Sequence, residues 1–231
     1  MSIGVWLALW FAALMAGVWL LRSHLLTASR AEWGNSWLNA LDGLNRIFCQ
    51  RFHRLHPLRL PLPANGPALV VANHISGLDP MLMIAASHRP LRFLIAREQY
   101  ERFGLQWLFR AVGGIPVERG GNTKPALAAA REALLRGEVV ALFPHGRIHL
   151  AHEPPVQLKP GIVHLAKFSR APVYPLYIEG IRGAGHTLGS VFLRSEARIT
   201  NFAPLYYDES NPEQLLEQLA ALLSSRGSSS A

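Results

Sequence analysis

The chain begins with an unbroken apolar run. Residues 3–21 (IGVWLALWFAALMAGVWLL) carry no charge. At about 1.5 Å per residue a helix of that length spans roughly 28 Å, close to the ~30 Å thickness of a hydrocarbon core. Trp6, Trp10 and Trp19 suit its interfaces. No Lys or Arg precedes the run, which speaks against a cleaved signal peptide and predicts a retained transmembrane helix. Over residues 33–56 the pattern changes. Trp37, Leu38, Leu41, Leu44, Phe48 and Phe52 recur at spacings of three and four, with Arg46, Arg51 and Arg54 flanking the stripe. That period predicts an amphipathic helix, either packed on a domain or lying in a headgroup layer.

Pro57, Pro61, Pro63 and the Asn65-Gly66-Pro67 cluster end the helical pattern. Short apolar runs then alternate with helical stretches. Strands are predicted over 68–72, 92–96, 114–117, 139–143, 173–178 and 191–199, and helices over 80–87, 98–111, 124–136 and 212–224. Asn211 can cap the last helix, with Pro212 at its first position. The alternation predicts an α/β fold, a mixed and largely parallel sheet flanked by helices, preceded by the transmembrane and amphipathic helices. The expected division is a membrane anchor at 1–25, a surface helix and linker at 26–60, one domain at 61–224 and a disordered tail at 225–231.

Net charge is +8, and arginine supplies most of it, since lysine occurs only at Lys124, Lys159 and Lys167. Guanidinium groups suit phosphates and carboxylates. The partners left open are nucleic acid, an anionic membrane face, or an acidic carrier and phosphorylated substrates. The basic residues form neither a run nor an aromatic-interleaved strip, so no nucleic acid is expected. Arg89, Arg92, Arg97 and Arg102 are expected on solvated faces. Arg22 and Arg30 follow the apolar run, and the positive-inside tendency places the rest of the chain in the cytoplasm, beneath the inner membrane. Cys49 is the single cysteine, so no internal disulfide forms.

The sharpest local feature is Asn73-His74-Ile75-Ser76-Gly77-Leu78-Asp79-Pro80. An apolar strand ends at Asn73, a short loop follows, and Pro80 starts a helix with Asp79 expected at its N-cap. His74 therefore sits where α/β proteins place their sites. Five residues across a turn let the Asp79 carboxylate reach one imidazole nitrogen and leave the other free to take a proton. By itself the pair equally suits a capping aspartate beside an incidental loop histidine. Ser76 lacks the G-x-S-x-G elbow of a hydrolase. His145, His149, His152 and Glu153 invite a metal, but Gly146 and Pro154-Pro155 spoil the helix that would align them, and no metal is expected.

Three further segments follow in order: Gly113-Gly114-Ile115-Pro116-Val117-Glu118-Arg119, Phe143-Pro144-His145-Gly146 and Ala171-Pro172-Val173-Tyr174-Pro175. Together with His74 and Asp79 they resemble the lysophospholipid acyltransferase family. That family shows Asn-His-x-x-x-x-Asp, Gly-x-x-x-x-x-Arg, Phe-Pro-Glu-Gly and a proline-bracketed valine block. The resemblance implies transfer of a fatty acyl group from acyl-CoA or acyl carrier protein to a lysophospholipid hydroxyl. The first expectation is 1-acylglycerol-3-phosphate giving phosphatidic acid, with no cofactor beyond the thioester. It implies a general base at His74 oriented by Asp79, and acceptor binding by Arg119, His145, Gly146 and Arg147. Membrane lipids and the thioester carrier are the implied partners. One departure stands out: His145 replaces the family glutamate, and Arg147-Ile148 replaces Thr-Arg. An unperturbed imidazole titrates near pH ~6.5, so acceptor affinity is expected to rise as pH falls through that value. The departure keeps two alternatives open, a different lysolipid acceptor or a catalytically silent lipid binder on the same fold.

Overall fold

The N-terminal helix α1 (Ile3–Ala28) buries none of its residues, and its length and composition suffice to cross a membrane. The structure is a computed structural model that describes residues 3–150, 152–154 and 156–224, so the tail expected at 225–231 lies outside the described residues. Helix α2 (Ser36–Arg51) is capped by Asn35, whose side chain accepts a hydrogen bond from the Trp37 N–H at 3.1 Å. Its buried face is Leu38, Asp42, Gly43, Arg46 and Cys49. Gly43 lets the two helices touch, because a Cβ there would meet the Leu25 carbonyl oxygen at 1.8 Å.

Arg46 does not flank the stripe in solvent as its position suggested. It is buried, its Nε donates to Asp42 Oδ2 at 2.7 Å, and its terminal nitrogens donate to the carbonyls of Ala85 and Ser87. Trp37, Leu41 and Leu44 of the expected stripe remain exposed.

The central sheet has six strands in the order β3-β2-β4-β1-β5-β6, where β1 is Ala68–Ala72, β2 Leu91–Ala96, β3 Ile115–Val117, β4 Val139–Leu142, β5 Val173–Glu179 and β6 Arg198–Asn201. The β3–β2, β2–β4, β4–β1 and β1–β5 pairs are parallel, and β5–β6 is antiparallel. Every residue of β1 is buried, as a continuous apolar run in a doubly covered strand requires. Ala68, Val70 and Ala72 face a core with α3 (Asp79–Ala86), while Leu69 and Val71 face a second core with α6 (Lys124–Leu135), α7 (Gly161–Ser169) and α9 (Gln214–Ser224).

Several elements differ from the sequence expectation. The helix foreseen over 98–111 is two pieces, α4 (Arg97–Tyr100) and α5 (Gln106–Ala111), because Gly104 between them has φ +80°. The strand foreseen over 191–199 is mostly irregular. Residues of α8 (Gly189–Phe192) turn helically, and Ser195 Oγ accepts from Arg182 N at 3.0 Å, so pairing with β5 begins only at Arg198. The last helix starts at Gln214, after a turn at 212–213. Helix α7 was not foreseen, because Lys159-Pro160-Gly161 suits a turn as well as a helix start; its Ile162, Leu165 and Ala166 nevertheless follow the helical period and are buried. Arg89, Arg92 and Arg97 are not simply solvated. Arg89 donates to the carbonyls of Pro63, Gly66 and Gly137, Arg92 pairs with Glu138, and Arg97 pairs with Glu101 and Glu118.

Candidate active site

Strand β1 ends on a side chain that imitates backbone. The Asn73 amide donates to the Ile178 carbonyl at 2.8 Å and accepts from the Ile178 N–H at 2.7 Å, extending the β1–β5 ladder by one step. The next residue is His74. Its Nδ1 lies 2.7 Å from Asp79 Oδ2. A carboxylate only accepts, so this contact places the ring proton on Nδ1 and leaves the lone pair on Nε2.

Asp79 is not the N-cap. Leu78 holds that place, without a side-chain cap, and Asp79 is the first residue of α3. The reason is visible in its partners: the carboxylate turns back into the loop. Oδ2 also accepts from the Ile75 N–H at 2.7 Å and the Ser76 N–H at 2.9 Å, and Oδ1 accepts from Ser76 Oγ at 2.7 Å. Asp79 is fully buried, and these bonds repay its desolvation. The loop is held from outside as well. His149 N donates to the His74 carbonyl at 2.7 Å, Gly77 N to His186 O at 3.2 Å, and Gly185 N to Ile75 O at 2.8 Å. Gly77 has no room for a side chain, because a Cβ would meet the Thr187 carbonyl oxygen at 1.8 Å.

Phe143, at the end of β4, stacks on the imidazole with ring centroids 4.0 Å apart and planes 14° from parallel. His74, Gly77, Phe143 and Gly146 line a wide cavity of about 1490 Å³, whose walls include the apolar Leu41, Leu44 and Phe48 of α2. The exposed stripe of α2 thus forms part of the cavity wall. Arg119 also lines it, with Nη1 2.9 Å from Glu98 Oε1.

His145 and Arg147 are not among the lining residues. The His145 ring stacks on His149, centroids 4.8 Å apart, and Arg147 Nη2 lies 3.4 Å from Glu153 Oε2. Burial holds the His145 pKa below the usual histidine value, helped by His149, His74 and Arg147. The expected titration near 6.5 therefore moves to lower pH. His149 Nε2 lies 3.0 Å from the Pro154 carbonyl oxygen.

Residues 54–179 match the family described as Acyltransferase, a stretch that contains the whole His74–Asp79 loop, Arg119 and the 143–147 turn. The chain belongs to the acyltransferase family. Over 124 residues it is 30% identical to the probable 1-acyl-sn-glycerol-3-phosphate acyltransferase of Mycoplasma genitalium, an alignment covering 51% of this chain and 46% of that protein. The chain thus spans about half the length of this curated relative. In three dimensions it is similar to the crystal structure of the 1-acyl-sn-glycerophosphate (LPA) acyltransferase PlsC from Thermotoga maritima, with a TM-score of 0.57, 20% identity, and coverage of 84% of this chain and 83% of that one. At that identity the likeness speaks for the fold, and the mixed, mostly parallel sheet flanked by helices is shared.

Sequence reasoning singled out His74 and Asp79, which the structure places 2.7 Å apart, and passed over the residues that hold them. Ser76 was considered only as a nucleophile, and Asn73 only as a strand end and a motif position. Both were within a motif already singled out, and their short polar side chains in a buried loop are the signal that they satisfy backbone groups.

Proposed function

We propose that this chain is a membrane-bound O-acyltransferase that moves a fatty acyl group from an acyl thioester to the hydroxyl of a lysophospholipid, with 1-acylglycerol-3-phosphate as acceptor and phosphatidic acid as product. The observation that carries the reading is the 2.7 Å His74–Asp79 pair on the wall of a large apolar cavity. His74 Nε2 takes the proton of the acceptor hydroxyl, and the oxygen attacks the thioester carbonyl carbon. The C–S bond breaks as the tetrahedral intermediate collapses, and the imidazolium returns its proton to the departing thiolate. Asp79 fixes the tautomer and stabilises the imidazolium. No covalent enzyme intermediate and no cofactor are required, because the thioester is already activated. Arg119 serves the acceptor headgroup, and Gly146 of the 143–147 turn shapes the acceptor side, with His145 and Arg147 behind the cavity lining.

In this reading residues 1–25 anchor the chain in the inner membrane, α2 lies at the headgroup level, and residues 61–224 form the catalytic domain on the cytoplasmic side. Exposed Trp37, whose ring centroid lies 5.4 Å from that of exposed Trp107, supports an interfacial position for this face. Acyl-CoA or acyl carrier protein is the donor. The test is incubation of the purified full chain with acyl-CoA and a panel of lysolipids, followed by identification of the product lipid. Phosphatidic acid is expected. A diacyl product from another headgroup would move the acceptor assignment, and ligand binding without any product would favour a silent lipid binder.

A further inference from the structure

An anionic acceptor needs a cation beside His74, and the arginines that the sequence motifs offer already have carboxylates of their own. Arg119 is paired with Glu98 at 2.9 Å, and Arg147 with Glu153 at 3.4 Å and away from the cavity lining. Arg97 is shared between Glu101 and Glu118, each at 3.1 Å. Lys159 differs. Its side chain lies across the α-carbon of Gly146: a Cβ built there would meet Lys159 Cε and Nζ at 2.7 Å and Cδ at 3.3 Å. Its backbone N–H donates to the Pro144 carbonyl at 3.0 Å. Backbone and side chain of Lys159 are thus both laid against the turn that follows β4. Lys159, Gly146, Phe143 and His74 line one cavity. Among the described residues the Lys159 ammonium forms no ion pair. The turn brings it no negative charge either, because position 145, where the family block has glutamate, holds a histidine.

We infer that Lys159 is a further cation, in addition to Arg119, that receives the phosphate of the acceptor beside His74, and that Gly146 lacks a side chain so that the lysine can lie across it. The inference rests on the acyl-transfer reading above and adds a headgroup contact to it. An ammonium is a compact charge with three rotatable donors, and it can follow a phosphomonoester without the fixed approach a guanidinium demands. The φ of +71° at Gly146 and the contact with Lys159 act together. Any side chain at 146 would be strained in its backbone and would displace the ammonium.

Phosphate could also come from the CoA portion of the donor, so the experiment must separate donor from acceptor. The full chain is assayed with acyl-CoA and either 1-acylglycerol-3-phosphate or its dephosphorylated counterpart, 1-acylglycerol, in wild type, Lys159→Gln and Lys159→Arg. Lys159→Gln is expected to lower kcat/KM for the phosphorylated acceptor by about ten- to hundredfold, the range a charge-assisted hydrogen bond supplies. Turnover of 1-acylglycerol and the KM for acyl-CoA should stay within about twofold, and Lys159→Arg should recover most of the loss. An unchanged preference for the phosphorylated acceptor in Lys159→Gln overturns the inference while leaving acyl transfer intact. A rise confined to the acyl-CoA KM overturns it by assigning the cation to the donor. A wild type that acylates neither lipid removes the underlying reading, and the inference with it.

Discussion

At the scale of single residues, the site is organised around a carboxylate with no freedom to move. Asp79 accepts from His74, from two backbone N–H groups and from Ser76 Oγ, so the imidazole it orients is fixed before any substrate arrives. That preorganisation suits the general base proposed at His74. The neighbouring turn behaves differently from what its composition suggests. His145 has a lowered pKa, chiefly through burial, so its positive form needs a lower pH than that of an ordinary histidine. The sign follows directly: tightening of an anionic acceptor through His145 can appear only as pH falls beneath the ordinary histidine range. Acceptor affinity in wild type and His145→Gln should therefore separate as pH falls, with the separation centred below about 6.5, the ordinary histidine value. A separation centred at or above 6.5 would contradict the buried neutral ring. The sequence made the identity change at position 145 legible. It could not show that the side chain points at His149 rather than into the cavity, because a turn residue's direction depends on the chain that packs over it.

At the scale of elements, Arg46 joins three parts of the chain. Asp42, its partner on α2, also accepts from Ser29 Oγ at 2.9 Å and Arg30 N at 3.1 Å, just past α1, while the guanidinium donates to carbonyls at the end of α3. Arg46→Ala should cost about 3–5 kcal/mol in urea denaturation, since it strands a buried carboxylate. Loss of a solvated flanking arginine would cost only about 0.5 kcal/mol or less, and a result that small would refute the buried network. Hydrophobic periodicity identified α2 and left open whether its apolar stripe is packed on a domain or faces a headgroup layer. The buried face carries Asp42, Gly43 and Arg46, polar or small residues that a count of apolar positions assigns to solvent. The parallel strands were legible because a continuous apolar run has few other uses. The region from 180 to 197 was not, because its order comes from single contacts such as Arg182 N to Ser195 Oγ and Glu196 N to Gly180 O.

At the scale of the whole molecule, the site sits at the C-terminal edge of the parallel strands, and the apolar face of α2 forms part of its cavity wall. Helix α1 has no buried residue of its own. Its end is tied to α2 through Leu25 and Gly43, so removal of residues 1–22 leaves this contact in place. The shortened protein should keep the circular dichroism and melting behaviour of the α/β fold yet sediment poorly with anionic phospholipid vesicles. Undiminished vesicle binding would show that α1 is not the anchor. The most direct test of the central claim, however, is made on His74. Thiol release from acyl-CoA on addition of 1-acylglycerol-3-phosphate is measured for wild type and His74→Ala, with folding verified by thermal melting. General base catalysis predicts a loss of about 10²–10⁴-fold with the melting transition retained. Turnover in the variant close to that of wild type would contradict a reaction that runs through the His74–Asp79 pair.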